Sequence, residues 1–256
     1  MARSTMRPMT PDSSEPTTPN TGRMFDYWLG GRHHYPVDVA AAKAFEAVFD
    51  DFPRVFRALR GFIGRASQFI QAQGVDQFLV LGAGLPTQGN VHEAVPGARV
   101  LYSDLDASNV ELGQRILSGV PGTAYTRCDA TDLSTLDAEV LGRVLGPPRR
   151  LGIIVVGVEA FMTDAQVRDA FQRLYELAPA GSYLAFDCDS PEALRHPELV
   201  KRMGPGFHMR TPEQLAAVLG PWRLTSDGIQ PVSAWRNPTP DATLPPYMNG
   251  GVAHKP

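Results

Sequence analysis

Cys128 and Cys188 are the only two cysteines in 256 residues, and they stand sixty positions apart. Two thiols at that spacing build neither a disulfide framework nor a cysteine metal centre, so the expectation is free, buried thiols in a reducing compartment. Charge of one sign is also missing. The 24 basic and 27 acidic residues leave a net charge of −3, and no Lys/Arg tract is dense enough for a long nucleic-acid footprint. No apolar run approaches a membrane span, and residues 1–22 lack the apolar core of a secretory signal. The expected location is cytoplasmic, with no nucleic-acid or membrane partner. Zinc-ligand spacing, a Walker loop and a Ser-His-Asp order are absent too, and no metal site is expected.

What is present suits one large domain: 43% hydrophobic and 20% charged residues, in a chain long enough for a sizeable core. Residues 1–21, rich in Pro, Ser and Thr, read as a disordered tail. Residues 22–256 read as a single domain, with a helical segment over 22–74 followed by an α/β portion over 75–256. Helices are predicted over Arg23–Gly31, Val39–Phe49 and Val55–Gln73. In the last of these, Phe56, Leu59, Ile63, Ala66 and Ile70 recur at three- and four-residue steps.

From Phe78 the pattern alternates. Strands are predicted at Phe78–Leu81, Val100–Ser103, Ala124–Cys128, Gly152–Val158 and Ser182–Cys188. Ser108 with Glu111, Thr163 with Gln166, and Thr211 with Gln214 mark helix starts as capping boxes. This alternation predicts an open, mainly parallel sheet with helices on both faces. Trp222–Ile229 and Tyr247–Ala253 supply late antiparallel strands.

The most specific stretch is Gln77–Glu93, QFLVLGAGLPTQGNVHE. An apolar strand ends in Gly82-Ala83-Gly84, where bare backbone lets a ligand approach, and a helix is expected to follow. About twenty residues after the second glycine, Asp104 ends the second strand at the sheet edge, placed to accept both hydroxyls of a ribose. The third glycine of a dinucleotide fingerprint falls at Thr87, which argues against a pyrophosphate ligand. S-adenosylmethionine (SAM) has no phosphates and needs no such glycine. Asp106 reads as a helix-start residue. Asp129, after the third strand, either meets the adenine amino group or caps the next helix.

The elements Asp26-Tyr27-Trp28-Leu29-Gly30-Gly31, GAGLPTQGNVHE, YSDLD, LAPAGSYLAF, GIQPVSAWR and the closing GVAHKP resemble a bacterial family of SAM-dependent methyltransferases with unassigned substrates, best known from actinomycetes. The likeness runs from about Gly22 to the last residue. It implies a Rossmann-like class I methyltransferase fold: a seven-stranded, mainly parallel sheet with a reversed last hairpin, helices on both faces, and an N-terminal helical lid over the cofactor. It also implies SAM as cofactor. Gly82, Ala83 and Gly84 would lie under the methionine and ribose, Asp104 and Leu105 would flank the ribose, and Asp129 and Ala130 the adenine. Gly157 would also belong to the cofactor site. Asp26, Tyr27, Gly30, Gly31 and Arg32 would form the lid wall, with Arg32 as the partner of the methionine carboxylate. The family usually carries an acid two residues before the first glycine, and here that position is Val80.

Methyl transfer needs an in-line arrangement, and a protonated acceptor needs a base. Glu159, just past the fourth strand, is the candidate base or acceptor anchor. Tyr27 is the second catalytic candidate, facing the acceptor from the lid together with His33, His34 and Tyr35. His92 reads as structural, and Phe161 and Met162 as core. The reading is therefore a SAM-dependent methyltransferase for a small-molecule acceptor, with a homodimer left open. Three alternatives stand beside it: a SAM-binding sensor without transfer, an enzyme using SAM for cyclisation or elimination, and a nicotinamide oxidoreductase.

Overall fold

The computed structural model describes residues 15–147 and 149–256. Most of the tail expected to be disordered, residues 1–14, lies outside the described residues. Its end is tied down: the Thr18 carbonyl accepts from Arg23 Nη2, and Asn20 caps the first helix by accepting from the Arg23 amide.

Three helices come first: α1 (Thr21–Trp28), α2 (Pro36–Glu46) and α3 (Phe52–Ala72). Pro36 opens α2 and Pro53 opens α3, in the first turn where a missing N–H leaves no bond unmade. α3 buries Phe52, Val55, Phe56, Leu59, Phe62, Ala66 and Ile70 along one stripe. That stripe lies on the sheet itself, so the helical segment is divided in role: α1 stands over the sheet's carboxyl edge with α2 packed on it, whereas α3 is a layer of the core.

The sheet is built from β1 (Gln77–Leu81), β2 (Arg99–Asp104), β3 (Thr123–Arg127), β4 (Gly152–Val155), β5 (Tyr183–Asp189), β6 (Arg223–Leu224), β7 (Gln230–Pro231) and β8 (Met248–His254). Between them run α4 (Val91–Ala94), α5 (Ala107–Ile116), α6 (Ala138–Leu145), α7 (Asp164–Leu177), α8 (Pro197–Met203) and α9 (Pro212–Ala217). The order is β3-β2-β1-β4-β5-β8-β6, with β7 also on β8. β1 to β5 pair in parallel, and β8 runs antiparallel to β5, β6 and β7.

Eight strands replace the seven implied by resemblance. β6 meets Ala253 and His254, and β7 meets Asn249 and Gly250, so the two short strands share one partner. A turn from Thr225 to Gly228 splits them, and Pro231 has no N–H with which to extend the ladder.

Both faces of the sheet are covered. Phe78 and Val80 point into the cluster built with α3, while Leu79 and Leu81 join Val167, Phe171 and Leu174 of α7. Each such buried side chain contributes roughly 1.5–3 kcal/mol. The Thr163 and Thr211 capping boxes form as expected, but the Ser108–Glu111 box does not. Asp106 caps α5 instead, its Oδ1 accepting from the Ser108 amide at 2.7 Å. The helix expected directly after the glycine turn is delayed to the four residues of α4, because Pro86 and the left-handed Gly89 keep the preceding loop irregular.

Candidate functional site

β1 has β2 on one side and β4 on the other, and the crevice opens where the chain direction of build-up reverses. A cavity of about 560 Å3 sits there at the carboxyl ends of β1 to β4, roofed by α1 and α3. That volume lies within the ordinary range for a small-molecule site of roughly 300–1,000 Å3.

The glycine turn forms its floor. Gly82 and Gly84 both have φ of +60°. A Cβ at Gly82 would stand 2.2 Å from Val158 Cγ2, and one at Gly84 would stand 3.4 Å from the Gly22 Cα of α1. The turn is pinned on three sides: Ala83 N donates to Ser103 O at 2.9 Å, the Tyr125 hydroxyl to Gly84 O at 2.7 Å, and Gly84 N to Asp104 Oδ2 at 2.9 Å. Asp104 Oδ1 accepts from Asp106 N at 2.9 Å. Each carboxylate oxygen thus spends one acceptor position on the backbone and keeps another for the cavity.

Asp129 also lines the cavity; its Oδ1 accepts from the Thr131 amide at 2.8 Å and hydroxyl at 2.7 Å. It therefore combines a turn-capping role with a place in the wall. Leu105, Ala130 and Gly157 line the cavity as well, and Leu105 is 52% exposed, an apolar surface available to a flat ligand. Asp106 faces the cavity from its cap and ties the core to the N-terminus, since its Oδ2 accepts from Asn20 Nδ2 at 2.8 Å.

The lid residues proposed from resemblance are not in that wall. Asp26 is 1% exposed, with Oδ2 accepting from His33 N at 2.7 Å and lying 2.9 Å from His34 Nδ1. Gly31 packs onto the same carboxylate so closely that a Cβ would fall 2.0 Å from Asp26 Oδ1. Asp26 and Gly31 thus fix the loop after α1. Gly30 accepts from Gln88 Nε2, Arg32 points to solvent, and Tyr27 packs edge-on against His34. His33, His34 and Tyr35 likewise lie outside the cavity. The lid wall consists instead of Asn20, Thr21, Gly22, Phe25 and Leu29, whose side of α1 could not be chosen without knowing its tertiary contacts.

Sequence reading also missed Arg60. It stands on α3 among Phe56, Leu59 and Ile63, within the cavity wall, and donates to Asn90 Oδ1 at 2.5 Å. Asn90 in turn donates to Thr87 O at 2.9 Å. Burial lowers the Arg60 guanidinium from its ordinary pKa, against the opposing influence of Tyr102, Glu93 and Asp26. The signal available was a charged residue inside an apolar helical stripe, although a snorkelling surface arginine gives the same pattern. Val80 forms an apolar part of the floor, and the acid beside the turn is Asp104 from β2.

Glu159 is corrected too. It is fully buried behind the wall, with Oε1 facing Asp187 N at 3.3 Å and Oε2 facing Val158 N at 3.3 Å. Burial, and then the neighbouring Asp187, push its pKa well above the ordinary carboxylic range. Asp187 accepts from Gly157 N at 2.7 Å and is itself raised by burial to about 6. With both carboxyl oxygens turned to backbone N–H groups, Glu159 supports the cavity wall from behind and is not part of its lining. Met162 is in the core as expected, its edge reaching the cavity, whereas Phe161 lines the cavity with 55% of its surface exposed. His92 is structural as expected: its amide and Nδ1 both meet the Tyr102 hydroxyl.

Cys128 and Cys188 are free and buried. Among the described residues no cluster of His, Cys, Asp and Glu could hold a metal, and no helix is long and apolar enough to cross a membrane.

Known structures share this architecture. A DUF574-family protein from Streptomyces avermitilis is 29% identical with a TM-score of 0.81, over 93% of this chain and 98% of that one. A candidate methyltransferase from Thermobifida fusca is 25% identical with a TM-score of 0.82, over 93% and 95%. The N-methyltransferase NodS from Bradyrhizobium japonicum, solved with S-adenosylhomocysteine (SAH), is 16% identical with a TM-score of 0.54, over 84% and 97%, a likeness of fold alone. No curated protein matches the chain. The profile described as S-adenosyl methyltransferase matches residues 8–256, nearly the whole length, and the chain belongs to the S-adenosyl methyltransferase family.

Proposed function

We propose that the 560 Å3 cavity holds SAM with its ribose on Asp104, its adenine between Leu105 and Asp129, and its methionine carboxylate on Arg60, for methyl transfer to a small-molecule acceptor. The observation that carries this reading is Asp104, whose two oxygens are fixed by Gly84 N and Asp106 N with acceptor capacity left over at the end of β2. Gly82 and Gly84 present bare backbone to the ligand, and Phe25 and Leu29 exclude water from above. SAM supplies an electrophilic methyl group on a sulfonium; the chain's contribution is to bind, orient and desolvate it. The two reduced thiols support a cytoplasmic setting.

Asp104→Ala removes charge-assisted bonds to the ribose and is expected to weaken SAM binding by about 2–3 kcal/mol in calorimetric titration, on the scale of hydrogen bonds to charged groups. Unchanged affinity would overturn the ribose assignment. A second reading, SAM binding without transfer, is favoured by Val80 at the usual acid position and by the burial of Glu159. SAH release across an acceptor panel separates the two, and methylthioadenosine as product would mark elimination chemistry instead.

A further inference from the structure

A second chamber, of about 50 Å3, adjoins the large cavity and shares Phe25, Phe56, Gly157 and Phe161 with it. Its remaining wall is almost wholly apolar: Phe49, Phe52, Phe207 and Met203 are prominent in it. Two groups break that pattern. The Tyr247 hydroxyl is already engaged with His196 Nε2 at 2.9 Å. Asp189, the last residue of β5, lines the chamber as well, and among the described residues no other side chain bonds its carboxyl. Its backbone is fixed, since Asp189 O accepts from Arg210 N at 2.8 Å.

Half-buried among aromatic rings and held only by its own backbone N–H, the Asp189 carboxyl keeps most of its acceptor capacity for a ligand. The rings favour a cation over their faces, and the carboxylate favours an N–H donor. A second carboxylate on a ligand would be repelled. Resting on the SAM reading above, we infer that this chamber takes the reactive arm of an apolar or aromatic amine, and that Asp189 anchors it and receives its proton.

The charges facing Asp189 agree with this role. Asp187, two residues earlier on the same side of β5, bonds Gly157 N and adds a like charge. The Arg210 guanidinium is turned the other way, toward Asp164 and the Glu159 and Met162 carbonyls, and does not neutralise it. Burial and then Asp187 push the Asp189 pKa well above the ordinary range, which suits a proton acceptor. An ammonium arriving in the chamber passes one proton to an Asp189 carboxylate oxygen. The freed nitrogen lone pair then forms the new N–C bond as the sulfonium C–S bond breaks, its electron pair returning to sulfur. Asp189 loses the proton to solvent afterwards.

The test uses the full chain saturated with SAH and titrated calorimetrically with benzylamine and with benzyl alcohol. Benzylamine is expected to bind at least tenfold tighter, and Asp189→Asn is expected to erase that preference while SAH affinity stays unchanged, which also shows the variant to be folded. In turnover, Asp189→Asn is expected to lower kcat/KM for amine acceptors about 10²–10⁴-fold, the usual span for a lost proton acceptor. Equal affinity for amine and alcohol in the unmodified protein, or a preference that survives in Asp189→Asn, overturns the inference. A failure of SAH itself to bind the unmodified protein sinks the cofactor reading; SAH binding with transfer only to phenols or carboxylates sinks this inference alone.

Discussion

Arg60 shows how much one side chain on the wrong face of a pattern can mean. It sits in the stripe that α3 turns toward the sheet, and in the described structure its guanidinium bonds Asn90 Oδ1. Removing it takes a half-buried charge out of an apolar wall but leaves the buried Asn90 Oδ1 without its donor, so stability should change little, while the carboxylate end of the ligand loses its cation. Arg60→Met is expected to weaken SAM binding about 10- to 100-fold with the melting temperature little changed; weakened binding accompanied by a large loss of stability would contradict this role. The same residue marks a limit of sequence reading. Periodicity finds the helix and its apolar face, but it cannot say that the one cation on that face points into a cavity. Asp104 was legible because its position at a strand end fixes its direction, whereas Asp26 was not, since a helical residue can face either way.

Glu159 and Asp187 give a pH signature. Both are buried acids held above their unfolded-state pKa, Glu159 by burial and Asp187 by burial to about 6. The folded state therefore binds more protons than the unfolded chain, so their contribution to stability is complete below about pH 4 and drains away as pH rises through 6 and beyond. Glu159→Gln keeps the shape and removes the titrating group, giving up one of the two acceptors that face the Val158 and Asp187 amides. Its melting temperature should exceed that of the unmodified protein at pH 8 and fall less steeply between pH 5 and 8. Parallel melting curves across that range would refute the assignment.

At the scale of elements, α1 is latched at its first residues. Asn20 donates its backbone N–H to Asp38 Oδ1 at 2.9 Å and its side-chain amide to Asp106 Oδ2 at 2.8 Å, and Arg23 Nε donates to Asp38 Oδ2 at 2.7 Å. One asparagine thereby caps α1, joins it to α2 and ties both to the cap of α5. Asn20→Ala should cost about 1–2 kcal/mol, the scale of a lost helix cap, and should speed hydrogen exchange at the α1 amides more than at α3. Equal protection in both helices would show that the latch is not local. Sequence reading began the ordered chain two residues later, at Gly22, because an Asn before Thr-Gly-Arg carries no apolar periodicity to announce a helix. The parallel strands were better marked, each an apolar run between turn residues. β6 and β7, of two residues each, are too short to leave a pattern.

Over the whole molecule, five parallel strands and the reversed β8 carry a two-sided core, and both thiols lie within it: Cys128 and Cys188 are 2% and 1% exposed. Burial pushes the Cys188 thiol up to about 12, and the Cys128 thiol is raised as well. Neither reacts as a thiolate in the native state. A maleimide or disulfide reagent should label the native protein only as fast as the fold opens, and labelling should accelerate in step with denaturant-induced unfolding. Rapid labelling of Cys188 in buffer alone would mean that a local opening reaches the sheet edge, and of Cys128 that the reagent enters the cavity that it lines.

The contact between Gly84 and Gly22 bears on time rather than on affinity. With 3.4 Å separating the α1 backbone from where a Cβ of the turn would be, a nucleoside lying on that turn sits beneath a roof that touches its floor. Leu105 and Phe161, each about half exposed, leave the cavity a second way out beside α1, so the dwell time of a ligand on the turn is set by the quicker of the two exits.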